Sequence, residues 1–318
     1  MKQTAFYRFS VWVFITVFLV ILAGGIVRMT QSGMGCPDWP RCFGRWIPPT
    51  NESQLPLNYK KIYAFKYVDT SFNVYHTWVE YINRLLGMLL GILLLIQFVW
   101  SLRFWNKKRI VTVLCGTNLI LTGFQGYLGS KVVEANLEVV KITSHMLVAL
   151  IIAAIALSVI NIVSSTVHKV YSLKLKRIVL ITIVLLLLQI ILGTQVRQQI
   201  DDISKSMMFE HRDSWIQKLN AVFKIHRMFS FIVAAASVYV YYEYQKLKTL
   251  AFSTRMIFIS VCATFLLGAI MSIFNMPAIA QPAHLLFSSI LLMSLFYNAI
   301  NTKAIDSAIM NDNVSLKN

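Results

Sequence analysis

Residues 142–163 read ITSHMLVALIIAAIALSVINIV, and this stretch decides the fold. It holds no Asp, Glu, Lys or Arg over a length that crosses a bilayer's hydrocarbon core as a helix, about 20 residues. One ionisable group, His145, sits near its start. Seven further apolar runs lie near 9–27, 80–101, 110–129, 178–196, 222–242, 256–273 and 283–300. Composition agrees: 57% of the 318 residues are hydrophobic and 14% are charged, with a mean hydropathy of +0.63. A soluble domain carries about 25% charged residues. Disorder, a coiled coil and a nucleic-acid-binding tail are excluded. The sequence reads as an all-α membrane protein with eight transmembrane helices.

The net charge of +17 comes from 30 Lys and Arg against 13 Asp and Glu. These cations fall between the apolar runs, where they anchor helices at lipid headgroups or meet an anionic ligand. The first run follows Lys2 and Arg8 and lacks a small-residue cleavage site, so it reads as a retained span. Eight spans leave both termini on one side. The densest cations, Arg103, Lys107, Lys108 and Arg109, would lie inside, which puts the N- and C-termini in the cytoplasm of a multi-pass cell-membrane protein. Two long segments, 29–78 and 198–219, then form outer loops. Cys36 and Cys42 lie in the first of these and can pair if it faces an oxidising compartment. Cys115 and Cys262, inside apolar runs, read as small core residues. His168 and His211 read as solvated loop residues.

The halves resemble each other. Gly24-Gly25-Ile26-Val27-Arg28 ends the first span and Gly193-Thr194-Gln195-Val196-Arg197 ends the fifth. Ile82-Asn83-Arg84 matches Ile225-His226-Arg227 in the second and sixth spans, and Ser144-His145-Met146-Leu147 matches Ala283-His284-Leu285-Leu286 in the fourth and eighth. The common order points to duplication. A four-span unit begins and ends on one side, so the copies are parallel repeats, expected as four-helix bundles over 1–165 and 166–318.

His145, His226 and His284 each sit at the outer end of an apolar span, where an ionisable group is costly and usually has a task. The competing reading of each is a histidine that hydrogen-bonds between helices. Haem iron takes ligands on opposite faces of a flat ring, and His226 with His284 can clamp one porphyrin. Zinc fits less well, because no Cys, Asp or Glu joins the histidines at ligand spacing. Arg197 and Arg227 lie where propionates would emerge, although interfacial anchoring explains each equally well.

In the first half, His145 has Asn83 as its counterpart. Glu80, three residues before Asn83, shares its helix face, and His76 lies one turn earlier. Glu80 can pair with Arg84 four residues on, or serve as a carboxylate beside a substrate that moves a proton or stabilises positive charge. Iron held by His145 alone would keep an open position. One half would then do chemistry while the other passes electrons.

These residues resemble the haem A synthase family over nearly the whole chain. The likeness rests on Gly24-Gly25-x-x-Arg28, on the loop from Thr30 through Gly35-Cys36-Pro37-Asp38-Trp39-Pro40-x-Cys42-x-Gly44, on Glu80-Tyr81-Ile82-Asn83-Arg84-Leu85-Leu86-Gly87, and on the three membrane histidines. It implies oxidation of a haem O methyl group to the formyl group of haem A, for cytochrome c oxidase. It also implies haem b on His226 and His284, a substrate haem on His145 near Asn83, His76, Arg84 and Arg28, a functional Glu80, and a Cys36–Cys42 disulfide. Many members have histidine at the place of Asn83. That leaves three outcomes: His145 binds alone, His76 substitutes, or Asn83 holds a water on the iron. The disulfide's role, stapling or redox, stays open.

The alternative is a dihaem b-type membrane cytochrome passing electrons from quinol without acting on haem. Expected partners are haem O, a haem O synthase delivering it within the membrane, an electron acceptor that the sequence does not identify, with quinone a candidate, and membrane lipid, with no nucleic acid.

Overall fold

The computed structural model describes residues 2–63, 72–134, 139–164, 169–247 and 250–303. His168 and the C-terminal tail lie outside them. Among the described residues, eight helices are long and apolar enough to cross a membrane. The chain divides into two compact units, ending at Val163 and starting at Ser164.

The first unit contains α1 (Lys2–Met29), the short loop helix α2 (Tyr59–Tyr63), α3 (Val74–Ser101), α4 (Arg109–Glu134) and α5 (Val139–Val163). Its four long helices close a ring in which α1 packs on α3 and α5, and α4 packs on α3 and α5. Phe6, Val111, Cys115, Val159 and Val163 fill one end of this bundle. Nearer mid-span, the amide of Gln97 donates to the Ser10 hydroxyl at 2.9 Å, tying α3 to α1. A polar group in hydrocarbon has no water to turn to, so such pairs form across helices.

The second unit contains β1 (Val170–Tyr171), α6 (Leu173–Ser206), α7 (Ala221–Lys246), α8 (Ala251–Ile273), α9 (Ala280–Asn301) and β2 (Thr302–Lys303). The ring order repeats: α6 packs on α7 and α9, and α8 packs on α7 and α9. The two-residue strands pair in parallel, a small addition to an otherwise helical fold. They sit beside a polar knot in which the Tyr244 and Thr302 hydroxyls meet at 2.5 Å and Ser253 donates to Asn298 at 2.5 Å. Lys176 caps the end of α9 by donating to the Ala299 carbonyl at 2.6 Å, where the helix dipole favours a cation.

Three details depart from the sequence expectations. Helix α3 begins at Val74 rather than near 80, because the Asn73 side chain accepts from the His76 amide and caps it. Helix α6 runs about three turns past the apolar stretch, which shortens the second loop. Its apolar stripe continues through Val196, Ile200 and Ile203 onto Trp215 and Leu219, while Arg197 pairs with Asp201 one turn on. Cys262 is exposed, on the same face of α8 as Ile259 and Leu266, and is not a core residue. A small apolar thiol suits a lipid-facing surface, whereas Cys115 is buried as expected.

Replacing Tyr244 by Phe leaves the ring and removes one buried hydroxyl. The expected cost is about 1 kcal/mol, read as a lower thermal midpoint in detergent. An unchanged midpoint would show that the knot contributes nothing.

Candidate functional site

The first-unit site is built around one short segment of α3. Gly35, in the loop after α1, lies so close to this helix that an added Cβ would stand 2.3 Å from the His76 carbonyl oxygen. Only glycine allows that approach. The Thr77 hydroxyl donates to the Gly35 carbonyl at 2.9 Å. One residue on, the Cys36 backbone N–H donates to Glu80 Oε2 at 2.9 Å. Glu80 Oε1 meets Arg84 Nη2 at 2.5 Å and Nε at 3.1 Å. The same guanidinium donates to the carbonyls of Asp38 at 2.7 Å, Arg41 at 3.0 Å and Cys36 at 3.3 Å.

Glu80 is 4% exposed and is therefore a clamp as well as a candidate reactive group. Its pairing with Arg84, one of the two readings of its spacing, is present. The loop is braced from within as well. Cys36 and Cys42 form a disulfide, Asp38 accepts from the Phe43 and Gly44 amides at 2.6 and 2.7 Å, and Phe43 packs against Tyr59, Tyr63 and Phe72. Tyr81 donates to the Trp46 carbonyl at 2.7 Å. His76 is half-buried on the α3 face that carries Glu80 and Asn83.

The matching turn of α7 is built differently. Counting from Asn83 and His226, Glu80 corresponds to Phe223 and Arg84 to Arg227. Where α3 has a buried ion pair, α7 has the Arg227 guanidinium 5.7 Å from the centre of the Phe223 ring. At this turn the first unit has a buried carboxylate and the second has none; the second unit's buried carboxylate, Asp201, lies on α6 against Arg197.

The three membrane histidines share one arrangement. Each imidazole lies against a glycine of the preceding helix. An added Cβ would stand 3.5 Å from His145 Cε1 at Gly129, 3.2 Å from His226 Cε1 at Gly193 and 3.3 Å from His284 Cε1 at Gly268. Each ring has a buried Nδ1 with no hydrogen-bond partner among the described residues. Leaving such a group unpaired costs about 1–3 kcal/mol. His226 and His284 also lie within electrostatic range of each other.

No three His, Cys, Asp or Glu side chains among the described residues gather into a metal-chelating group. Iron held by this pair needs further donors, which a porphyrin brings. The donor set and the glycine-backed rings fit a haem. Two glutamines went unnoticed in the sequence: Gln125 donates to the His145 carbonyl at 2.7 Å and Gln189 to the His226 carbonyl at 3.0 Å. Their signal was present as Gln-x-x-x-Gly at 125–129 and 189–193, a glutamine one turn before the glycine.

Residues 7–296 match the family described as cytochrome oxidase assembly protein. The chain belongs to this family. Among its curated relatives, Heme A synthase of Flavobacterium psychrophilum is 25% identical, over 88% of this chain and 93% of that protein. Heme A synthase of Flavobacterium johnsoniae is 24% identical, over 89% and 93%. Heme A synthase of Bartonella quintana is 32% identical over a shorter stretch, 43% of this chain and 41% of that protein.

The remaining arginines of this family member are placed as follows. Arg28 lies in the last turn of α1. Arg197 pairs with Asp201 at 2.8 Å and donates to Gln281, which is three residues before His284 on α9. Arg197 therefore links α6 to the helix bearing His284.

Changing Arg84 to Met removes the loop carbonyls' donor and leaves Glu80 buried without its cation. The expected destabilisation is about 3 kcal/mol, with faster proteolysis within residues 30–63. Adding Glu80→Gln should restore part of the stability. Unaltered protease resistance in the single variant would mean that the loop is held by other contacts.

Proposed function

We propose that this chain is a haem A synthase, oxidising a methyl group of haem O to a formyl group and so supplying haem A to cytochrome c oxidase. The observation that carries this reading is the asymmetry of the bundles: both offer glycine-backed histidines, but only the first places a buried carboxylate, Glu80, three residues before the histidine-equivalent position on the same helix, where the second has Phe223. A pure electron carrier has no use for that difference. Membership of a cytochrome oxidase assembly family and near-full-length relatives named for haem A synthesis support it.

In this reading His145 holds the iron of substrate haem O, with Asn83, His76, Arg84 and Arg28 around it. His226 and His284 hold a resident haem b, and Arg197 and Arg227 lie near its propionates. Haem b, when bound by two histidines, supplies one-electron transfer. Exchanging two hydrogens of a methyl carbon for one doubly bonded oxygen is a four-electron oxidation. With water as oxygen donor, four electrons and four protons leave, reducing two quinones to quinols.

Glu80 accepts from three donors, Cys36 N–H and two guanidinium nitrogens. A carboxylate fixed in this way stabilises positive charge as it develops at the neighbouring carbon and reorganises little in doing so. Its link to Arg84 gives a departing proton a fixed acceptor. The disulfide loop covers this end of α3 and keeps water from the carboxylate.

The prenyl tail of haem O favours delivery through the lipid from a haem O synthase. The protein would lie in the cell membrane with both termini cytoplasmic, supported by the cation density at Arg103, Lys107, Lys108 and Arg109.

Glu80→Gln tests the role of the carboxylate. Extraction and chromatography of bound porphyrins should show haem b retained and haem A lowered by about 100-fold. Haem A at the wild-type level would remove Glu80 from the reaction.

A further inference from the structure

The four helix-end positions that repeat around the two rings are not alike. Three hold a histidine against a glycine: His145 on Gly129, His226 on Gly193 and His284 on Gly268. The spacing from glycine to histidine is the same in the two α4–α5-type pairs, 129 to 145 and 268 to 284. In the repeat, Asn83 on α3 and Gly24 on α1 stand at the places of His226 and Gly193. There the glycine is kept, yet an added Cβ meets nothing within 4 Å.

The residue one turn before the glycine departs as well. It is Gln125, Gln189 and Thr264 at the three histidine positions and Val20 at the fourth. Two of these polar residues are close to the histidine's own helix through the glutamine hydrogen bonds already described. Val20 can make no such bond. So the histidine, its polar support and the filled space against the glycine are lost together at one corner.

Asn83 does not replace them. Its Oδ1 is buried with no hydrogen-bond partner among the described residues. A carboxamide oxygen is a weak, neutral iron donor beside an imidazole nitrogen. It is, however, a good acceptor for a small molecule that carries a proton.

We propose that the Gly24–Asn83 corner is an open ligand chamber, which leaves one axial face of the first-bundle haem exchangeable for a small neutral molecule such as water or carbon monoxide. This rests on the reading of His145 as the iron ligand of that haem and deepens it. The chamber follows from the open space at Gly24, where an added Cβ would meet no atom within 4 Å, while the glycine itself is retained. Asn83 acts there as a positioning residue, its carbonyl accepting from a bound water. The two-histidine site of the second bundle has no free face and does not take such a ligand.

The test is carbon monoxide binding to the dithionite-reduced, purified full chain, followed by difference spectra. Wild type should bind carbon monoxide at about half of its total haem. Asn83→His, which supplies the missing imidazole against Gly24, should abolish that binding and turn the ferric high-spin signal low-spin. Asn83→Ala should keep it, and the second-bundle haem, retained in every variant, reports that each one is folded.

Wild-type protein that carries His145-dependent haem yet ignores carbon monoxide would overturn the chamber alone. Binding that persists in Asn83→His would also overturn it, placing the open face elsewhere. Haem content unaffected by His145→Ala would overturn the underlying reading of the first bundle, and the chamber with it.

Discussion

A polar side chain in hydrocarbon must find a partner inside the protein, and this constraint organises everything described above. Where the chain can supply the partner, it does so across helices: Gln97 with Ser10, Ser253 with Asn298, Tyr244 with Thr302. Buried polar atoms with no partner among the described residues include Nδ1 of His145, His226 and His284 and Oδ1 of Asn83, and also Gln97 Oε1, Asn118 and Asn298 Nδ2 elsewhere along the helices. The glycines beside the rings matter sterically, since a larger residue would take the space into which the imidazoles settle.

The two units apply one plan to different ends. In the second, Phe223 and Arg227 stand at the α7 terminus with the guanidinium over the ring, and His226 lies within electrostatic range of His284. In the first, the same turn carries Glu80 and Arg84, and both fasten the loop that follows α1. A single guanidinium reads three loop carbonyls and one carboxylate, so the position of Glu80 and the position of the disulfide segment are set together. Neither can shift without unpairing a buried charge, which costs several kcal/mol.

Much of this was legible in the sequence. Eight spans followed from apolar runs of bilayer length. The Glu80–Arg84 pair followed from helical spacing. What could not be read was the other half of each contact. Nothing in the spacing of Cys36 and Glu80 shows that the backbone N–H of one meets the carboxylate of the other, because the loop between them folds back through Gly35. The length of α6 was missed because hydropathy falls at Arg197 although the helical apolar stripe does not. Cys262 was misread because a lipid-facing cysteine and a core cysteine look alike in a hydropathy profile. The glutamine one turn before each histidine-backing glycine was visible as a pattern, but its meaning required knowing which helices are neighbours.

The central claim is that a pair of histidines on α7 and α9 grips one haem b independently of the chemistry in the first bundle. The direct measurement is chromatography of the haems extracted from purified chain carrying His226→Ala and His284→Ala together. The account predicts loss of haem b with haem O still bound. Haem b retained at the wild-type ratio in a folded double variant would contradict it.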